Sequence, residues 1–177
     1  MLRYRFTAED FHRMAEAGIL PEDARVELLE GEIVNMSPIG KRHAYALNAL
    51  VDLLSPLVGQ AVLSVQNPLV LGPATEVYPD LALLKPPRTR YRDRLPQGED
   101  VLLLVEVADT SLAYDLEVKL PLYAKAGIPE VWVVDLTRDR LLVFRKPAEG
   151  GYQQKEVLEE GTLEVLGLTV PVTGVLP

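Results

Sequence analysis

Two acidic residues flank short apolar runs in the middle of the chain. Asp80 precedes the run at residues 81–84, and Glu106 follows the five apolar residues 101–105. A strand as apolar as the second run is usually buried on both faces, and a buried carboxylate is costly unless it is paired, hydrogen-bonded or bound to a metal. If the two strands are neighbours, the two anions converge, and a divalent cation that prefers oxygen ligands relieves their repulsion. The pattern therefore predicts a Mg²⁺ or Mn²⁺ site.

A lysine follows the second strand in a segment with helical spacing. This segment contains Lys119, and Gly127 ends it before a third apolar run at residues 131–135. A lysine ammonium in this position could stabilise charge growing on a phosphate or position an attacking water. Asp115 and Tyr123 lie four residues to either side of Lys119 and share its helical face. We interpret Asp115 as a helix-start acid that interacts with the helix dipole, and Tyr123 as a core residue.

The composition bounds the class of protein. A chain of 177 residues, 48% apolar and 25% charged, is typical of one globular domain, so we expect a single domain over residues 1–177. There is no cysteine, which excludes disulfides and thiolate metal sites. No run is apolar and long enough for a membrane span, and no apolar region follows the N-terminus as in a signal peptide. We therefore expect a cytoplasmic protein without membrane contact.

Charge is unevenly distributed along the chain. The net charge of −8 argues against a protein that coats nucleic acid non-specifically. Residues 85–94, however, contain five cations and one anion in a segment rich in proline. Arginines in such a loop are usually just solvated. Because the loop directly follows the first strand, we favour a phosphate-binding role that weakens with salt, for Lys85, Arg88, Arg90 and Arg92.

The first part of the chain predicts two helices and a hairpin. Thr7 and Asp10 form a capping-box pattern at the start of a helix that Gly18 ends. Residues 25–29 and 32–36 flank Glu30-Gly31, which is typical of a β-hairpin. Residues 41–58 have helical apolar spacing and end near Pro56. We expect a long strand at residues 61–71, with a bulge or sheet edge at 66–68, and then a loop at 73–79.

The remainder predicts a mixed α/β chain. A loop covers residues 85–100, and further short strands are expected at 141–144, 152–158, 162–165 and 169–172. The helix that carries Lys119 contains Pro121, and an interior proline costs about 3 kcal/mol. Either that helix is kinked, or it starts late and places Pro121 in its first turn. The second case would change the direction in which Lys119 points.

At these residues the chain resembles the PD-(D/E)xK nuclease superfamily, and more narrowly a bacterial group of restriction-endonuclease-like proteins. The resemblance rests on short motifs spread from about Glu27 to Asp135. They are Val26-Glu27-Leu28, Pro79-Asp80, Glu106-Val107, the segment from Tyr114-Asp115 through Lys119 to Tyr123-Ala124, and residues 127–135. The chain departs from the superfamily at Ala108, because the lysine is expected there, two residues after the second acid. In the narrower group that lysine is displaced onto the next helix, where Lys119 stands.

The resemblance implies a central mixed β-sheet flanked by helices, with an N-terminal helix and hairpin. It implies that Asp80, Glu106 and the main-chain carbonyl of Val107 bind the metal, while Lys119 orients the water or stabilises the phosphorane. Glu27 is then a second-metal ligand or a hydrogen-bond partner of Lys119. Gln66 and His43 are further candidates for the site.

Two functions of different classes follow. The first is a metal-dependent nuclease that hydrolyses phosphodiester bonds in DNA, as a homodimer that contacts both strands. The second is an interaction module or dimeric subunit that keeps the nuclease fold without activity, which Ala108 and the negative net charge favour. A weaker third option is a metal-dependent hydrolase of another phosphate ester. The chain has no Gly-rich phosphate loop and no Ser-nucleophile elbow, which disfavours P-loop enzymes and acyl hydrolases.

Overall fold

The computed structural model describes residues 1–177 as twelve strands and four helices. In chain order these are α1 (Ala8–Glu16), β1 (Val26–Leu29), β2 (Glu32–Asn35), α2 (Lys41–Leu54), β3 (Val62–Val65), β4 (Leu69–Gly72), β5 (Thr75–Val77), β6 (Leu81–Leu84), β7 (Val101–Ala108), α3 (Leu112–Tyr114), α4 (Leu120–Lys125), β8 (Glu130–Asp135), β9 (Arg140–Ala148), β10 (Gly151–Leu158), β11 (Thr162–Val165) and β12 (Leu168–Pro171). A π-helical segment, Asp115–Lys119, joins α3 to α4. No helix is long and apolar enough to cross a membrane.

The central layer is a six-stranded mixed sheet with the order β10-β9-β8-β7-β6-β3. Only β7 and β8 run parallel, and every other neighbouring pair in this sheet is antiparallel. The helical segment from α3 to α4 makes the crossover that a parallel pair requires. The predicted mixed sheet flanked by helices is confirmed.

The two faces of this sheet pack against different helices, α2 on one face and α4 on the other. Val105 and Val107 belong to the core cluster that contains Leu47, Leu50 and Leu54 of α2. Leu104 and Ala108 belong to the opposite cluster, which contains Tyr123 of α4. Because successive residues of a strand point to opposite faces, Glu106 points to the α4 side. The strand period therefore directs Glu106 towards the helical segment that carries Lys119.

A second, four-stranded sheet has the order β2-β1-β5-β4 and carries Glu27 on β1. Its hairpin turn is the predicted one, with φ of 47° at Glu30 and 84° at Gly31. Positive φ at both central residues matches the right-handed twist of the flanking strands. A side chain at Gly31 would also collide with Arg5, whose Cα lies 2.9 Å from the position of an added Cβ.

Two strand predictions are wrong. Residues 61–71 do not form one strand, because the chain leaves the six-stranded sheet after β3 and enters the four-stranded sheet at β4. The break falls at Gln66, whose φ is 53°, and at Pro68, which cannot donate to a ladder. The loop expected at residues 73–79 contains β5, which pairs between β1 and β4. Both errors arise because pairing partners, and not local sequence, decide where a short strand forms.

The conflict at Pro121 is resolved by the π-helical segment. The main-chain N–H of Leu120 donates to the carbonyl oxygen of Asp115, five residues back. Pro121 then stands in the first turn of α4, where its missing N–H costs little. Asp115, Lys119 and Tyr123 are all buried, so the three residues still face the same side.

The other helix predictions are confirmed, with small differences at the ends. The capping box of α1 is present, since Asp10 N–H donates to the Thr7 hydroxyl and Thr7 N–H donates to the Asp10 carboxylate. Helix α2 ends at Leu54, and Pro56 lies in the 3₁₀ turn Ser55–Leu57 that follows. The basic loop contains two short 3₁₀ turns, Arg88–Tyr91 and Gly98–Asp100, where no helix was expected.

Asp135 closes β8 as a buried turn-forming acid. Its carboxylate accepts hydrogen bonds from the main chain and hydroxyl of Thr137 and from Arg140 Nε at 2.8 Å. Burial alone would raise the pKa of Asp135, but these donors outweigh burial and hold the pKa below its ordinary value of 3.8. The charged carboxylate of Asp135 is therefore more favourable in the folded state than in the unfolded state.

We expect Asp135→Asn to lower the free energy of unfolding at pH 7 by about 1–3 kcal/mol, because donors aimed at the carboxylate are left poorly paired. The difference from wild type should shrink as the pH falls below 3.8 through the lowered pKa, since the wild-type carboxylate is then protonated. Urea unfolding at several pH values measures this, with exposed Asp52→Asn as the control. An equal deficit at all pH values would contradict it.

Candidate active site

A cleft of about 520 Å³ opens between the two larger sheets. Main-chain and side-chain groups from the hairpin, the end of β7 and the helical segment form its walls. Its chemically active lining residues are Glu27, His43, Asp80, Glu106, Ser111, Tyr114, Asp115 and Lys119. The four sequence-predicted catalytic residues come from four different parts of the fold, so only folding brings them together. They are Glu27 on β1, Asp80 directly before β6, Glu106 on β7 and Lys119 in the π-helical segment.

The pairing of β6 with β7 places the two predicted metal ligands side by side. Leu81 lies opposite Val105 in the antiparallel ladder, so the residue before Leu81 meets the residue after Val105. Asp80 N–H donates to Glu106 Oε1 at 3.0 Å, and Val107 N–H donates to Asp80 Oδ2 at 2.8 Å. The two strands are neighbours, as the sequence argument required. Each carboxylate is held by the main chain of the other strand.

Lys119 projects from the helical segment onto these carboxylates. Its Nζ donates to Glu106 Oε2 at 2.7 Å and to Glu27 Oε2 at 3.0 Å, and its side chain is 4% exposed. Glu27 is fixed in turn by the main-chain N–H of Tyr78 at 2.8 Å. Of the two alternatives for Glu27, the hydrogen-bond partner of Lys119 is the one that this geometry supports.

The electrostatic balance of the cleft is negative. Four carboxylates, those of Glu27, Asp80, Glu106 and Asp115, surround one ammonium group. Burial, and then repulsion from the other carboxylates, raise the pKa of Glu106 above its ordinary 4.5, although Lys119 acts in the opposite direction. Burial alone would lower the pKa of Lys119, but Glu106 and the neighbouring acids outweigh it and raise that pKa well above 10.5. Lys119 is therefore a fixed cation.

Asp115 is a member of this cluster that the sequence argument did not assign to the site. It is 6% exposed and accepts a hydrogen bond from Ser111 Oγ at 2.8 Å. Burial raises its pKa above the ordinary 3.8, against the effect of Lys119. The signal was present, since Asp115 precedes Lys119 by four residues on the same face. The sequence interpretation of Asp115 as a helix-start acid that interacts with the helix dipole left it outside the predicted site.

The two further candidates both lie against Asp80. His43 Nε2 is 3.0 Å from Asp80 Oδ1, and Gln66 Nε2 is 3.4 Å from the same oxygen. His43 Nδ1 is buried without a hydrogen-bond partner, and so is the hydroxyl of Tyr114. Because buried polar atoms are nearly always satisfied, these two are the groups in the cleft most ready to accept a water or ligand.

The predicted phosphate-binding loop lies elsewhere. Lys85, Arg88, Arg90 and Arg92 follow the C-terminal end of β6, whereas Asp80 precedes its N-terminal end, and none of the four lines the cleft. The loop therefore lies at the opposite end of the strand from the carboxylates.

The cleft offers carboxylate oxygens, the donor type that a hard divalent cation prefers. No group of three or more His, Asp or Glu side chains is arranged to hold a metal. The predicted set needs only two carboxylates and the carbonyl of Val107, and Mg²⁺ commonly takes one or two carboxylates and keeps several waters. The surplus of buried negative charge is the condition that such a cation would relieve.

A mixed sheet with two acids on adjoining strand ends and a lysine against them defines a restriction-endonuclease-like fold of the PD-(D/E)xK type. Residues 8–175 match the family model described as "Uma2: Putative restriction endonuclease". The chain belongs to this family. The predicted resemblance is confirmed.

A solved structure agrees with this assignment at the level of the fold. The chain is similar to a protein from Anabaena variabilis ATCC 29413 described as "a putative nuclease", with a TM-score of 0.68 and 17% identity over 96% of this chain and 97% of the other. No curated protein matches the chain significantly.

We expect Lys119→Met to destabilise the protein by about 3–5 kcal/mol, because Glu27 and Glu106 are left buried without a counter-charge. Adding Glu106→Gln to that variant should restore part of the loss, since one buried charge is removed. Urea unfolding at pH 7 measures both effects, with exposed Lys125→Met as the matched control. A loss below about 1 kcal/mol would mean that water replaces the ammonium in the cleft.

Proposed function

We propose that the protein is a metal-dependent nuclease that hydrolyses phosphodiester bonds in DNA. The observation that carries the proposal is the Lys119 ammonium, held at hydrogen-bond distance by Glu27 and Glu106 next to the Asp80 carboxylate. Family membership supports a nuclease-like hydrolase, and the carboxylate surplus supports a cation. Acids and a lysine in one cleft are the groups that phosphodiester hydrolysis requires.

Asp80, Glu106 and the carbonyl of Val107 are the residues that would hold Mg²⁺ or Mn²⁺. When bound, the ion supplies Lewis-acid polarisation of the phosphate and lowers the pKa of a coordinated water. Asp80 is oriented for this by Val107 N–H, and Glu106 by Asp80 N–H, so both carboxylates are positioned before any ligand arrives. Such preorganisation avoids a reorganisation cost during the reaction.

Lys119 has the role of a fixed positive charge. Because its pKa is raised well above 10.5, it stays protonated and cannot act as a base near neutral pH. It can donate hydrogen bonds to an attacking water or to a phosphate oxygen on which charge develops. Glu27 takes one of its three donor positions and Glu106 another, which leaves one for the substrate.

The same contacts also support a second candidate function. A catalytically silent interaction module would keep the Glu27–Lys119–Glu106 network as a structural ion pair. It would not require three acidic side chains arranged around one metal position, an arrangement that the cleft does not contain. Ala108 at the usual lysine position favours this alternative. Homodimer formation and a cytoplasmic location remain predictions for either function.

We expect Asp80→Asn to abolish cleavage of plasmid DNA that the wild type performs in Mg²⁺ or Mn²⁺ and not in EDTA. The asparagine oxygen can still accept from Val107 N–H, so the fold should survive. Asp52→Asn, an exposed acid on α2, should cleave as the wild type does. Calorimetric titration with Mn²⁺ should show binding to the wild type and to Asp52→Asn, but not to Asp80→Asn. Absence of both cleavage and metal binding in the wild type would favour the interaction module.

We expect His43→Gln to reduce cleavage by about 10–100-fold without unfolding the protein, because His43 Nε2 contacts and orients the Asp80 carboxylate. The reduction should be largely reversed by raising the Mn²⁺ concentration, since weaker metal affinity is its cause. Cleavage at a range of metal concentrations measures this. A reduction that no metal concentration reverses would instead place His43 in contact with the reacting groups.

A further inference from the structure

A second concave surface of about 560 Å³ lies beside the edge strand β3. We call it the arginine groove. One wall is β3 with Asn67 and Pro68, and the other is the basic loop with Arg88, Tyr91, Arg92 and Arg94. Strand β3 ends the six-stranded sheet and pairs only with β6.

A buried acid gives the basic loop a fixed shape. Asp100 is 3% exposed and accepts two hydrogen bonds from Arg94, at 2.8 and 3.2 Å, and one from Gln97 N–H. Its main-chain carbonyl accepts from Lys85 N–H at 2.8 Å, which ties the two ends of the loop together. The Tyr91 hydroxyl donates to the Lys85 carbonyl at 2.6 Å. Asp100 thus organises the loop.

This arrangement leaves uncompensated positive charge on the groove. Arg94 and Arg90 lie near Asp100, at 2.8 and 3.9 Å, whereas Arg88 and Arg92 have no acidic partner within 4.0 Å. Both arginines are exposed. In a protein of net charge −8, two ordered, unpaired arginines on one groove form a local positive surface that attracts a polyanion.

The groove leads to the cleft along one strand. Val65 lies opposite Leu81 at the cleft end of β3, and Val62 lies opposite Leu84 at the loop end. Gln66, directly after β3, contacts Asp80, while the next residue, Asn67, lines the groove. Val62 and Val65 are three residue steps apart, which spans roughly 10 Å. DNA rises about 3.4 Å per base pair, so this distance corresponds to about three base pairs.

We infer that the arginine groove binds the phosphate backbone of DNA about three base pairs away from the phosphate held in the cleft. Arg88 and Arg92 make the phosphate contacts, and Asp100 positions the loop that carries them. The groove would fix the direction in which the duplex leaves the cleft, without reading its sequence. The inference rests on the proposed nuclease function for the identity of its ligand.

The test is the salt dependence of DNA binding, which requires no cleavage. Fluorescence anisotropy with a labelled duplex would be recorded from about 50 to 200 mM KCl, in EDTA and with Ca²⁺ in place of Mg²⁺. The slope of log K against log salt is negative. Arg88→Gln/Arg92→Gln should reduce its magnitude by about 1.8, which is about 0.9 for each lost phosphate contact. Lys146→Gln/Lys155→Gln removes the same charge near the opposite edge strand β10 and should change the slope much less.

The outcomes separate this inference from the nuclease proposal. If the salt slope depends on the two arginines but the protein cleaves no DNA, phosphate binding by the groove is supported and the nuclease proposal is rejected. Metal-dependent cleavage with equal slopes in the two double variants overturns the groove and keeps the nuclease. No DNA binding by the wild type at low salt overturns the groove as well. Sedimentation without DNA gives a further outcome that overturns the groove. If the wild type is a dimer and only the arginine variant dissociates into monomers, the groove is a protein interface.

Discussion

The buried ion pair network of Lys119 with Glu106 and Glu27 is the interaction on which the site depends. It joins the six-stranded sheet, the four-stranded sheet and the helical segment at one point. A buried ammonium and two buried carboxylates are each unfavourable alone, so the three groups constrain one another's position. A shift of either sheet by one residue would remove a partner from the network and leave a charge unpaired. The network therefore fixes how the layers sit relative to one another.

The π-helical segment is the local device that makes this contact possible. A regular helix through residues 112–125 would bring Pro121 against the preceding turn, and the wider segment Asp115–Lys119 avoids this clash. Such π segments are often found at functional sites. Here the segment carries both Asp115 and Lys119 and buries both. Pro121, which conflicts with one regular helix, lies where the helix changes from π to α geometry.

The protein separates its charges in space. Carboxylates concentrate in the cleft at one end of β6, and arginines concentrate at the other end of the same strand. A nucleic acid is repelled by the first group and attracted by the second, so a cation in the cleft and phosphate contacts in the groove would act together. Two short strands, β3 and β6, set the distance between the two regions. Their antiparallel pairing makes that distance rigid.

The sequence by itself determined most of the apolar strands, the hairpin turn and the helix caps, because strand and helix periods and turn chemistry are local properties. It also indicated Asp80, Glu106 and Lys119 as candidate site residues. At Glu106, the position of a carboxylate within an apolar strand was enough to indicate a paired or metal-binding residue. Tertiary structure decided what local sequence could not: that residues 61–71 are divided between two sheets, that β5 forms at all, that Asp115 belongs to the cleft, and that the basic loop lies away from it. Each of these depends on which strand pairs with which, and pairing partners far apart in sequence leave no local pattern.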